Sequence, residues 1–221
     1  MGMQSLYGLH YASHKGDALR FYFNQTKNTR MIKLIVALGN PGQKYALTRH
    51  NIAWQLLEHL SFYHNLNWQT KFRGEYSTHS IGGEKIFFLK PQTYMNLSGE
   101  SVQPFVHFFK IKFDEILVIH DDIELDFGIV GFKTGGGLAG HNGLRSVANS
   151  LGTRDFKRMR LGISRPPHGK VEAYVLSNFS DDEKIVLPIY LGKAANLLEQ
   201  CLNEDFNTIE NKFNKENLLN P

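Results

Sequence analysis

The run Ile116-Leu117-Val118-Ile119 has no polar position, so its side chains must meet protein on both sides of any strand it forms. That predicts a central strand in a sheet covered on both faces, and the run stops abruptly at His120-Asp121-Asp122. Met31-Ile32-Lys33-Leu34-Ile35-Val36-Ala37-Leu38 is a second buried-strand run, and it stops at the turn-forming Gly39-Asn40-Pro41-Gly42. Two central strands therefore end in polar loops, which is where open α/β sheets place their ligand crevice.

The segments between and after these strands complete the pattern. Ile52, Ala53, Leu56, Leu57 and Leu60 recur at helical spacing, with Thr48 as an N-cap candidate and His50 in the first turn. Tyr76 to Ile81 and Lys85 to Leu89, joined through Gly82-Gly83-Glu84, read as a hairpin. A loop carrying Asn96 and a helix from Gly99 to Phe109 follow. Gly128 to Lys133 and Phe156 to Ile163 are further strands, separated by a glycine loop and a helix from His141 to Leu151. In the last strand Arg158 and Arg160 fall on one face. Ser180-Asp181-Asp182-Glu183 is a capping box for a long helix with a kink expected near Pro188. The expected fold is α/β: a single domain with a twisted, mixed, mostly parallel sheet flanked by helices and carrying one hairpin.

Residues 1–30 show no clean periodicity, and the core is expected to begin at Met31, leaving them as an N-terminal extension and 31–221 as the functional domain. The chain has 221 residues, 42% of them hydrophobic, enough for a sizeable core without staples. A single Cys201 excludes an internal disulfide framework, and no apolar run approaches the roughly 20 residues needed to cross a bilayer. A cytoplasmic, monomeric protein without membrane attachment is expected. The formal charge of +4 permits a polyanionic partner but does not require one.

Chemistry concentrates in the loops. His50 is a candidate base, Asp121 a candidate orienting carboxylate, and Asn40, Asn96 and Asn142 are amides, each offering a donor and an acceptor without adding charge. Together they suit activation of water, with no Gly-x-Ser-x-Gly elbow to suggest a nucleophilic serine.

The stretches Gly39-Asn40-Pro41-Gly42-x-x-Tyr45, Thr48-Arg49-His50-Asn51, Met95-Asn96-Leu97-Ser98-Gly99, His120-Asp121-Asp122 and Gly135-Gly136-Gly137 through Gly140-His141-Asn142-Gly143-Leu144 resemble those of bacterial-type peptidyl-tRNA hydrolases, in family order. The resemblance runs from about Met31 to the end of the chain. It implies hydrolysis of the ester between a peptide and the terminal ribose of tRNA, with His50 as base, Asp121 as its partner and Asn40 beside them. It further implies that Tyr45, Tyr94, Met95, Asn96 and Asn142 line the peptide site, and that Lys133 and Arg160 meet the acceptor arm. No metal or other cofactor is implied. Gly131, Leu138-Ala139 and Ala53 depart from commoner residues of the family, which bears on tRNA grip and loop mobility.

Three other readings are weighed. Gly135-x-Gly137-x-x-Gly140 matches a dinucleotide fingerprint but leaves His50, Asp121 and the asparagines without work. A metal hydrolase from His50, His120, Asp121 and His141 matches no compact ligand spacing. A noncatalytic RNA-binding module would use Arg154, Lys157, Arg158, Arg165 and Lys170 with Lys133 and Arg160 as a basic face.

Overall fold

A computed structural model describes residues 32–166 and 168–220. The extension expected over residues 1–30 lies outside them. One eight-stranded sheet forms the centre, in the order β2-β3-β4-β1-β5-β7-β6-β8. Its strands are β1 (Leu34–Ala37), β2 (Gln69–Lys71), β3 (Gly74–Ile81), β4 (Glu84–Pro91), β5 (Ile116–Asp122), β6 (Ile129–Thr134), β7 (Lys157–Gly162) and β8 (Glu216–Asn217). The mixed sheet and the β3–β4 hairpin agree with the sequence reading. A parallel majority does not hold. Three pairings, all around β1 and β5, are parallel and four, toward the edges, are antiparallel. The short strands β2 and β8 account for part of this, and both are exposed edge pieces without an apolar signature.

The helices are α1 (Ile52–Leu57), α2 (Gly99–Phe109), α3 (Asn142–Leu151), α4 (Val171–Val175), α5 (Asp181–Asn203) and α6 (Phe206–Lys212). Alternation along the central strands divides the core in two. Ile35, Ala37, Leu117 and Ile119 face a cluster completed by α1, α5 and α6, whereas Leu34, Val36, Ile116 and Val118 face one completed by α2 and α3. All seven residues of β5 are buried, which explains why its apolar run lacks alternation.

Local signals work largely as expected. Ser180 accepts from the Glu183 N–H and Glu183 accepts from the Ser180 N–H, so the capping box opens α5, which continues through Pro188 as one helix. Thr48 departs from expectation: its hydroxyl donates to the Tyr45 carbonyl, and Arg49–Asn51 form a 3-10 turn before α1 starts.

Helices α2 and α3 approach so closely that a Cβ on Gly99 would lie 2.3 Å from the Ser146 carbonyl oxygen. Gly99→Ala should therefore force the helices apart and lower stability by about 1–3 kcal/mol. Denaturant unfolding checks this, and an unchanged midpoint would show that the contact relaxes freely.

Candidate active site

Parallel pairing sets β1 beside β5 with Ala37 opposite Ile119 and the Leu38 N–H donating to the Ile119 carbonyl. The two strands consequently release Asn40 and Asp121 side by side. Asn51, fully buried, accepts the Asn40 N–H at 2.9 Å and donates to the Asn40 carbonyl at 2.9 Å, joining that loop to the turn carrying His50. The three groups border a cavity of about 430 Å³, also lined by Tyr45, Tyr94, Met95, Asn96 and Asn142.

Asp121 is the hub. Its Oδ1 lies 2.7 Å from His50 Nδ1 and 3.0 Å from His141 Nε2. Burial alone would push its carboxyl up, but the charge and hydrogen bonds of His50 and His141 outweigh that and hold it well below the usual carboxylate range. An ionised carboxylate only accepts, so each imidazole nitrogen facing it carries a hydrogen. For His50 this leaves Nε2 as the lone pair. His141 has the opposite tautomer, because its Nδ1 accepts from the Gly143 and Leu144 N–H groups at 3.1 and 3.3 Å and so caps α3.

The Asn40 side chain is oriented by the same logic. Its Oδ1 accepts the Met95 N–H at 2.8 Å, and a backbone N–H cannot accept, so the amide NH2 is the end left for the cavity. Met95 itself is buried, and a Cβ on Gly143 would come within 2.4 Å of its sulfur. Asn96, Asn142 and Tyr94 are exposed at the rim, where Tyr94 meets Tyr45 edge to face.

Immediately before Asp121 and Asp122 stands His120, 1% exposed, with Nδ1 2.7 Å from the Asp121 carbonyl oxygen. Burial first, then the nearby His141, pulls this imidazole down to about 3. His120 is accordingly neutral through the physiological range.

The basic residues separate into two groups. Lys133 is exposed at the end of β6, opposite Arg158. Arg160 Nε donates to Asp122 Oδ2 at 2.8 Å and is mostly covered. Lys157 and Arg158, expected on a basic face, are buried: Lys157 bonds the Asp114 carbonyl, and Arg158 the Gly135 and Gly137 carbonyls, bracing the glycine loop. Arg165 pairs with Glu124. Arg49, adjacent to His50, makes a bidentate pair with Glu183 at 2.9 and 2.7 Å and lies over Tyr174 and Phe179. This clamp, and the cavity wall formed by Val171, Glu172, Val175 and Leu176, escaped the sequence reading because their partners are far apart in the chain.

Two rival readings meet physical obstacles. The glycine loop follows β6, which is antiparallel to β7, rather than opening a parallel βαβ unit, and the first free N–H groups of α3 are already taken by His141. Ligand-type atoms of His50, Asp121 and His141 lie within 4.8 Å of one another, but His141 Nε2 spends its position on a hydrogen and has no lone pair for a metal.

Residues 34–220 match the family model described as peptidyl-tRNA hydrolase. The chain is 47% identical over 189 residues to a peptidyl-tRNA hydrolase of Geotalea uraniireducens, covering 85% of this chain and 99% of the relative. It is 42% identical over 185 residues to one of Bacillus cytotoxicus, covering 83% and 100%. A crystal structure of peptidyl-tRNA hydrolase from Acinetobacter baumannii superposes with a TM-score of 0.77 at 34% identity, covering 84% of this chain and 95% of that one.

The Arg49–Glu183 clamp generates a stability prediction. Burial alone would raise the Glu183 carboxyl, but its bonds to Arg49 and Ser180 hold it below the usual range. The pair's contribution is therefore complete above the unfolded carboxyl value near about 4.3 and is lost as pH falls through the lower folded value. Arg49→Met should cost about 2 kcal/mol at neutral pH, moderated because Glu183 keeps some contact with water. Thermal unfolding of both proteins should show that gap narrowing in acid, whereas a gap independent of pH would place the loss elsewhere.

Proposed function

The chain belongs to the peptidyl-tRNA hydrolase family, and from that premise we propose how its cavity cleaves the ester between a peptide and the 3′-terminal ribose of tRNA. The observation carrying the reading is the 2.7 Å bond from His50 Nδ1 to Asp121, which supports Nε2 as a base directed at the cavity. Water gives its proton to His50 Nε2 as its oxygen bonds to the ester carbonyl carbon. Asp121 balances the imidazolium, and the Asn40 NH2 donates to the carbonyl oxygen as charge gathers there. Collapse breaks the carbon–oxygen bond to ribose, and His50 returns the proton to the departing ribose oxygen. Base chemistry of this kind needs no metal or other cofactor.

Tyr45, Tyr94 and Met95 provide apolar walls for the peptide, and Asn96 and Asn142 bond its backbone from the rim. The peptide sequence is thereby read weakly, as suits an enzyme acting on many unfinished chains. Lys133 binds acceptor-arm phosphate from its exposed position. Arg160 does so with the guanidinium nitrogens that its Asp122 contact leaves over. The protein acts as a monomer in the cytoplasm, and no helix among its described residues is long and apolar enough to cross a membrane. A noncatalytic RNA-binding role would not require the oriented imidazole, and an assay of peptide release from peptidyl-tRNA separates the two.

His50→Ala should lower peptide release from peptidyl-tRNA by about 10²–10⁴-fold while its melting temperature and tRNA affinity stay near the parent's. Retention of full turnover would refute the assignment. Because Asp121 is held ionised far into acid, its carboxyl should contribute no step to kcat/KM above about pH 4, and a carboxylate step there would contradict this. Lys133→Ala should weaken tRNA binding and reduce the slope of log affinity against log salt by about one. An unaltered slope would remove Lys133 from the phosphate contact.

A further inference from the structure

Arg158 is a cation buried in β7, 3% exposed, whose bonds go to carbonyls rather than to a carboxylate. Its Nη1 donates to the Gly137 carbonyl at 2.8 Å and its Nη2 to the Gly135 carbonyl. A trans peptide points its N–H away from its C=O, so turning these two carbonyls in toward Arg158 turns the N–H groups of Gly136 and Leu138 outward. Neither N–H has an acceptor among the described residues, and Gly136 is exposed.

Lys133 completes the arrangement. It stands opposite Arg158 across β6 and β7, and its ammonium lies 3.0 Å from where a Cβ on Gly136 would be. Around the loop positive charge prevails. Lys133, Arg158 and Arg145, which reaches the Gly140 carbonyl at 3.4 Å, face two acids: Glu210, already accepting both hydrogens of Thr134, and Asp155 beside Gly135. Backbone N–H groups turned to one side amid net positive charge make an anion site. The loop continues directly into Ala139, Gly140 and Asn142 of the cavity wall, so an anion held there belongs to the substrate just beyond its reacting end.

We propose that the glycine loop and Lys133 form one phosphate site, in which the Gly136 and Leu138 N–H groups and the Lys133 ammonium hold a backbone phosphate of the tRNA acceptor arm. Arg158 is the positioning residue that keeps both N–H groups outward. The assignment rests on Lys133 as a phosphate contact and adds the loop's part in it.

The test follows the backbone N–H resonances of Gly136 and Leu138 in the full chain by NMR, during addition of a tRNA acceptor-arm duplex and, separately, of inorganic phosphate. Both proton resonances should move downfield with the duplex and saturate along its binding curve. Arg158→Lys keeps the charge but cannot span two carbonyls, and its affinity for the duplex should fall by about fivefold or more. Lys133→Ala should then cost less in Arg158→Lys than in the parent, because both act on one phosphate; strictly additive losses would mean that Arg158 serves packing alone and would overturn its role. Resonances that stay still while Lys133→Ala weakens binding overturn the loop's part. Saturation by inorganic phosphate at lower concentration than by the duplex overturns the nucleic-acid assignment. Affinity unaffected by Lys133→Ala defeats the underlying phosphate contact instead, so the failures are distinct.

Discussion

One carboxylate oxygen, Asp121 Oδ1, receives hydrogens from two imidazoles, and the rest of the site depends on that convergence. Removing a carboxylate from water is costly unless its bonds are replaced, and two N–H donors supply the replacement. The histidines are not equivalent in this arrangement. His141 has its second nitrogen tied to the backbone of α3 and serves as a fixed donor, whereas His50 presents its second nitrogen to the cavity. A single acid thus leaves one imidazole bonded at both ring nitrogens and the other with a ring nitrogen facing the cavity.

The fold supplies that convergence through adjacency and through long-range ties. Parallel β1 and β5 bring Asn40 beside Asp121, while Asn51 locks the first loop to the turn of His50. Arg49 then fastens the same turn to the capped start of α5. His50 is held from both of its chain neighbours, so the turn that carries it has little freedom left to lose.

Much of this was legible in the residues. An apolar run without alternation identified β5 as central, and the polar residues that end it and β1 marked the crevice. Asn40, His50 and Asp121 meet as expected because strand ends in an α/β sheet are fixed by pairing. Other features have no local signature. His141 was legible as the first residue of a helix after a glycine loop, but not as its cap or as a donor to Asp121, since those bonds depend on the orientation of α3. The Arg49–Glu183 pair spans 134 positions. Lys157 and Arg158 resembled a solvated basic face by composition, but the carbonyls of Asp114, Gly135 and Gly137 draw them inward. The antiparallel edges were underestimated for a similar reason: β2 and β8 are short polar segments defined by their neighbours.

The most direct test of the shared-carboxylate arrangement is nitrogen NMR of the ring nitrogens of His50 and His141 in the unliganded protein at neutral pH. The account predicts hydrogen on Nδ1 of His50 and on Nε2 of His141, with the remaining nitrogen of each unprotonated. Hydrogen on Nε2 of a neutral His50 would mean that Asp121 does not set its tautomer, and the account of the site would fail.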